Sequence, residues 1–125
     1  MQDFLFIKNC GEYLKLPLSE IISVEAVNKY VRIITKKKSY LISTTMRNIE
    51  KMLPNNIFRR IHRSYIISLG YISKFDNNAV YIDNKKFPIG KRYRGWLLND
   101  VIVLYMDSKL KSVSSTGGVD KMLPR

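Results

Sequence analysis

Residues 21–35 read Ile-Ile-Ser-Val-Glu-Ala-Val-Asn-Lys-Tyr-Val-Arg-Ile-Ile-Thr, two runs rich in β-branched side chains on either side of the polar pair Asn28-Lys29. Branched side chains pack well on a pleated surface and lose little freedom there, whereas asparagine tolerates the backbone of a tight reversal. The stretch therefore predicts two strands, from Ile21 to Ala26 and from Tyr30 to Thr35, folded back on each other.

The same reading extends in both directions. Upstream, the short apolar runs from Phe4 to Lys8 and from Glu12 to Leu16 flank Asn9-Cys10-Gly11 and predict a hairpin, closed off by Pro17, which cannot donate to a central ladder. Downstream, Lys36 to Lys38 form a basic turn and Ser39 to Ser43 return as a strand. Thr44 or Thr45 then caps a helix from Met46 to Leu53, where Met46, Ile49, Met52 and Leu53 recur at helical spacing and Pro54 supplies the stop. Strand signals resume from Ile57 to His62, Tyr71 to Phe75 and Val80 to Asp83, with Asp76-Asn77-Asn78 as a turn, and once more from Lys85 to Ile89. After Gly90 the period changes. Tyr93, Trp96 or Leu97, Val101 and Leu104 predict a closing helix of up to four turns, with Val101-Ile102-Val103 leaving a strand open at its end. The expected division is a domain over residues 1–106 and a flexible tail over 107–125, expected to be in part foreign to the natural chain.

The chain has 125 residues, enough for one compact core and too few for two ordinary domains. Its longest apolar runs fall far short of the ~20 residues of a membrane span, and Phe4 to Ile7 is too short for a secretory signal, so no membrane contact and a cytoplasmic location are expected. One cysteine, Cys10, and one histidine, His62, provide neither a disulfide nor a zinc cage; no metal and no cofactor are expected.

Net charge is +12, and it is concentrated. Between Ala26 and Arg94 lie 16 basic residues and only Glu50, Asp76 and Asp83 as acids, a net of +13. A surplus of that sign points to a polyanionic partner. The residue set for catalysis is missing: there is no phosphate-cradling glycine pattern, and acids in the basic window are too sparse to hold magnesium. His62 and Ser64, if on one strand, share a face, yet no nearby carboxylate orients the imidazole, so His62 reads as a buried, hydrogen-bonded residue and the chain as a non-enzyme.

The cations fall at strand ends in three groups: Lys29 with Arg32, Arg59 and Arg60 with Arg63, and Lys91 and Arg92 with Arg94. Guanidinium groups match both phosphate and the guanine edge bidentately, whereas lysine acts as a less directed charge, so the mixture suits a duplex contacted at backbone and bases. A single-stranded nucleic acid or RNA-binding β domain remains an alternative, with Tyr30-Arg32 and Arg63-Tyr65 as its interleaved aromatics, as does a basic surface for an acidic protein.

Ile21-Ile22-Ser23-Val24-Glu25-Ala26 with Asn28-Lys29-Tyr30-Val31-Arg32-Ile33, then Phe58-Arg59-Arg60-Ile61-His62-Arg63-Ser64-Tyr65-Ile66-Ile67, then Phe87-Pro88-Ile89-Gly90-Lys91-Arg92-Tyr93, resemble the LytTR family of bacterial DNA-binding domains, from about Phe4 to Leu104. The resemblance implies a mainly β fold: an elongated antiparallel arrangement of several small sheets with one or two short helices. It further implies sequence-specific transcription control, as the output domain of a two-component response regulator or as a stand-alone regulator. Such domains bind paired direct repeats in promoter double-stranded DNA through loops in the major groove, at times as dimers, with a receiver domain or a sensor kinase elsewhere in the parent system.

Carried over position by position, the family's DNA contacts fall on Asn28, Lys29, Tyr30 and Arg32, on Arg63, and on Lys91 with Arg92. Arg63 and Lys91 are the expected base readers; Lys29, Arg32 and Arg92 are expected at phosphates. Two departures stand out. Ser68 replaces a turn asparagine common in the family, and Val31 occupies a position that is polar in some relatives. Glu25 is expected to be structural, paired with a nearby base, because a carboxylate facing DNA is repelled. Trp96, Tyr65, Tyr81 and Phe87 read as core or rim residues, and Cys10 as a hairpin residue.

Overall fold

Residues 3–107, those described by the computed structural model, form three antiparallel sheets and two short helices. Strands β1 (Phe4–Asn9) and β2 (Glu12–Pro17) make the expected hairpin. Its reversal places Cys10 at φ 49° and Gly11 at φ 85°, the two left-handed residues that a primed two-residue turn requires.

The central sheet has five strands in the order β5 (Ser39–Ile42), β4 (Tyr30–Thr35), β3 (Ile21–Val27), β7 (Tyr65–Ser68), β6 (Phe58–His62). Helix α1 (Met46–Met52) connects β5 to β6, and the Thr45 hydroxyl accepts from the Asn48 amide at its N-terminus. The third sheet joins β8 (Lys74–Phe75), β9 (Ala79–Ile82) and β10 (Lys85–Pro88). Its β8–β9 turn is held by Asp76, whose Oδ1 accepts from the amides of Asn78 (2.7 Å) and Ala79 (2.9 Å). These two bonds, Asn78 foremost, lower the carboxyl's pKa below its ordinary value.

The central sheet separates two cores. On one face Val24, Val31, Ile33, Phe58 and Ile66 pack with Leu16, Leu18 and the α1 residues Met46 and Ile49. On the other, Ile61 and Ile67 meet Val80, Ile82, Phe87, Ile89 and Leu97. A one-residue bulge at Ile22, where the β3–β4 register slips between Ile21 and Ser23, explains how Ile21 and Val24 reach the same core despite their odd spacing.

Three expectations need correction. No strand is expected over Tyr65–Ser68, yet β7 lies inside the central sheet between β3 and β6. Tyr71 to Phe75 is mostly not strand: Leu69–Tyr71 form a 3-10 turn and β8 covers only Lys74–Phe75. The four-turn closing helix is absent. A 3-10 turn at Lys91–Tyr93 is followed by Gly95 at φ 86°, helix α2 spans only Trp96–Asp100, and Val101 is extended. Leu97 is buried and Tyr93 and Val101 pack partly buried against the same core, but Ile102 is 94% and Leu104 91% exposed, so nothing past Val101 holds further β-branched turns helical. Of the expected 107–125 tail, all but Asp107 lies outside the described residues.

Candidate nucleic-acid interface

Strand direction decides where the basic turns go. In an antiparallel sheet the C-terminal end of one strand lies beside the N-terminal end of its neighbour, so the β3–β4 turn at Asn28-Lys29 and the β6–β7 turn at Arg63-Ser64 share one end of the central sheet. The Ala26 amide donates to the Ser64 carbonyl at 3.0 Å and ties the two turns together. The loop after β10 joins them, because the Gly90 amide donates to the Ile61 carbonyl at 2.8 Å. Ile61 is the extra residue of a second bulge, where the β6–β7 register slips between Arg60 and His62. The equally basic turn Lys36–Lys38 lies at the other end of the sheet, between β4 and β5.

Within this cluster Asn28 sits at φ 54° and supplies the reversal, leaving Lys29 and Tyr30 exposed. Arg63, Lys91 and Arg92 are also exposed. Among the described residues Lys29, Arg63 and Lys91 make no ion pair; Arg92 lays its guanidinium over the Tyr93 ring, 5.9 Å from the centroid. Arg32 differs. Its Nη1 is 3.0 Å from Glu25 Oε1, directly opposite on β3, while Lys85 Nζ lies 3.7 Å from the other oxygen. Glu25 thus has the structural pairing expected of it, and Arg32 brings less uncompensated charge than its neighbours.

Two arginines grouped with the contact residues in the sequence turn out to be internal. Arg59 Nη2 lies 2.7 Å from Asp100 on α2, with its guanidinium over Trp96. Arg60 lies 3.0 Å from Glu50 on α1 and donates to the carbonyls of His62 (3.3 Å) and Arg63 (2.7 Å). The two ion pairs cross from β6 to separate helices, so no local signal announces them, whereas the carbonyl bonds of Arg60 stay within its own strand and turn. Val31, polar in some relatives, is 1% exposed here and belongs to the core facing α1, which withdraws it from any base.

His62 Nδ1 accepts from the Ser64 amide at 3.0 Å; the imidazole serves the turn and does not pair with the Ser64 hydroxyl. The Tyr65 ring packs between His62 and Phe87, each 5.4 Å away, and Tyr93 meets Trp96 edge-on at 5.0 Å. Gly90 also matters sterically: a Cβ there would lie 3.3 Å from Tyr93 Cδ2 and 3.6 Å from His62 Cδ2.

Comparison with known proteins identifies the family and the fold. A family model for the LytTr DNA-binding domain matches residues 11–114. The chain is 31% identical over 80 residues to the sensory transduction protein LytT of Bacillus subtilis, covering 59% of this chain and 33% of that one. It is 32% identical over 56 residues to the heme-containing CO-sensing transcriptional regulator RcoM 2 of Paraburkholderia xenovorans, covering 45% and 21%. The chain therefore spans a third or less of these relatives. A solved LytTr DNA-binding domain from Bacillus cereus superposes with a TM-score of 0.66 at 18% identity, over 79% of this chain and 96% of that one.

Proposed function

The chain belongs to the LytTr DNA-binding domain family, and from that premise we propose that it holds promoter double-stranded DNA for a bacterial transcription regulator, reading paired direct repeats with three turns that enter successive major grooves. What carries the reading is the convergence at one end of the central sheet of three turns whose exposed cations Lys29, Arg63 and Lys91 have no ion-pair partner among the described residues. Arg63 and Lys91 read base edges, where guanidinium and ammonium groups meet the acceptors of guanine. Lys29 and Arg92 take phosphates, assisted by the hydroxyl of Tyr30, the amide of Asn28 and the N–H groups of Arg32 that Glu25 does not use. Two copies occupy the two repeats, and the parent system supplies the signal through a receiver domain or a sensor kinase.

Selection of bound sequences from random duplex DNA tests this reading. The expected outcome is a pair of spaced repeats, bound in preference to single strands of the same sequence. Equal enrichment of all sequences, or preference for the single strand, contradicts it.

A further inference from the structure

We propose that Arg60, anchored by Glu50, is a positioning residue that sets the Arg63 turn and through it the sequence selectivity of the interface; this rests on the DNA reading above. The turns at Cys10-Gly11, Asn28-Lys29 and Asp83-Asn84 each use a residue at positive φ, which matches the twist of the flanking strands. The Arg63-Ser64 turn has none. A two-residue reversal without a left-handed residue splays its strands, so something else must hold it.

Side chains do so here. The Arg60 guanidinium donates through Nε to the His62 carbonyl and through Nη2 to the Arg63 carbonyl, while His62 Nδ1 takes the Ser64 amide. The remaining guanidinium nitrogen, Nη1, is fixed by Glu50 Oε1. All three guanidinium nitrogens therefore have acceptors, and the Arg60 side chain is only 15% exposed, whereas that of Glu50 is 43% exposed. A planar fork with three fixed partners dictates where the Arg63 carbonyl sits, and with it the start of the Arg63 side chain. Glu50 links that geometry to α1 and so to the core that Ile66, the cross-strand partner of Arg60, shares with Met46 and Ile49. Arg60 itself makes no DNA contact in this arrangement.

The test uses the full chain with Arg60→Lys and Glu50→Ala. Binding is measured against a selected duplex and a scrambled one across salt concentrations, and amide exchange is followed at Arg63 and Ser64 in the unbound protein. Lysine keeps the charge and loses the fork. Affinity for the selected duplex is expected to fall by about three- to tenfold, a part of the discrimination a good base contact provides, with the scrambled duplex and the salt slope nearly unchanged. Glu50→Ala separates positioning from charge. Removing an acid tightens binding to every duplex if charge alone acts, whereas positioning requires the ratio of selected to scrambled affinity to drop. Both variants should speed exchange at Ser64.

An equal loss on both duplexes with a shallower salt slope in Arg60→Lys, or an intact ratio in Glu50→Ala, overturns the proposal. If Arg60→Lys does not fold, Glu50→Ala decides, since its carboxylate is largely exposed. If the unaltered chain shows no sequence preference, the DNA reading falls by itself. The exchange arm then decides the clamp, and unchanged Ser64 protection in both variants refutes it.

Discussion

Gly90→Ala is the substitution whose opposing effects the structure lays out most closely. Gly90 has φ −68° and ψ 151°, a conformation any residue adopts, so the added methyl brings no backbone penalty. Restricting the unfolded chain would by itself stabilise the protein by about 0.4–1 kcal/mol. Against this stands one short contact. The new Cβ meets His62 at ordinary distances of 3.6 and 3.7 Å, but lies 3.3 Å from Tyr93 Cδ2, a few tenths of an ångström too near. Tyr93 is half-buried and leans edge-on against Trp96 at 5.0 Å, so the ring rotates at a cost of about 0.5–1.5 kcal/mol. The two effects nearly cancel, and the melting temperature should move by less than about 5 °C. Function should suffer more, because the strain falls on the loop that carries Lys91 and Arg92 beside the His62 turn. A site that needs placement within about 0.5 Å loses roughly three- to tenfold in affinity for a selected duplex. Thermal denaturation and fluorescence anisotropy on the same preparations provide both numbers. A fall of more than about 10 °C would show that Tyr93 cannot yield, and unchanged affinity would show that the Gly90 loop does not touch DNA.

Further outcomes are expected. Arg63→Ala should cost about 1–3 kcal/mol on the selected duplex and relax preference at one or two base pairs; an equal loss on every sequence reassigns the side chain to phosphate. Lys29→Ala should weaken all duplexes alike and reduce the slope of log affinity against log salt by about 0.9, and a loss confined to one base pair contradicts that role. Asp76 provides a pH test away from the interface. Its folded pKa is depressed, so its contribution to the β8–β9 turn is complete above the ordinary carboxylate value of 3.8 and is lost as the pH falls below it. Amide protection at Asn78 and Ala79, corrected for intrinsic rates, should hold steady between about pH 5 and 7 and decline below about pH 4, while Asp76→Asn should remove the decline. Protection that already fades near pH 6 would point to another group.

The sequence exposes the parts of the fold whose chemistry is local. The Asn28 turn, the Thr45 cap and the Gly11 reversal each state their conformation in one or two residues, and the strands and helix around them follow. Strand β7 escaped because Ile66 and Ile67 are buried on opposite faces of a sheet covered on both sides, which erases the alternation that marks a half-buried strand. The closing helix misled in the opposite way: its periodicity survives in the letters, but Gly95 interrupts it and the exposed residues from Ile102 to Met106 leave nothing to stabilise the later turns. At the candidate site, the positions of the cations were legible because turns locate them. Which cations are free was not, since Glu50, Asp100 and Glu25 reach Arg60, Arg59 and Arg32 across strands or from separate helices.

The claim on which the account stands is that three turns remote in sequence form one DNA-facing surface. Mapping the backbone amide shifts of the chain as a selected duplex is added tests it directly. The account predicts that residues 28–30, 62–64 and 90–92 respond together while the basic turn at Lys36–Lys38, at the far end of the sheet, stays silent. Shifts centred on Lys36–Lys38, or spread over every exposed lysine without regard to the three turns, would contradict it.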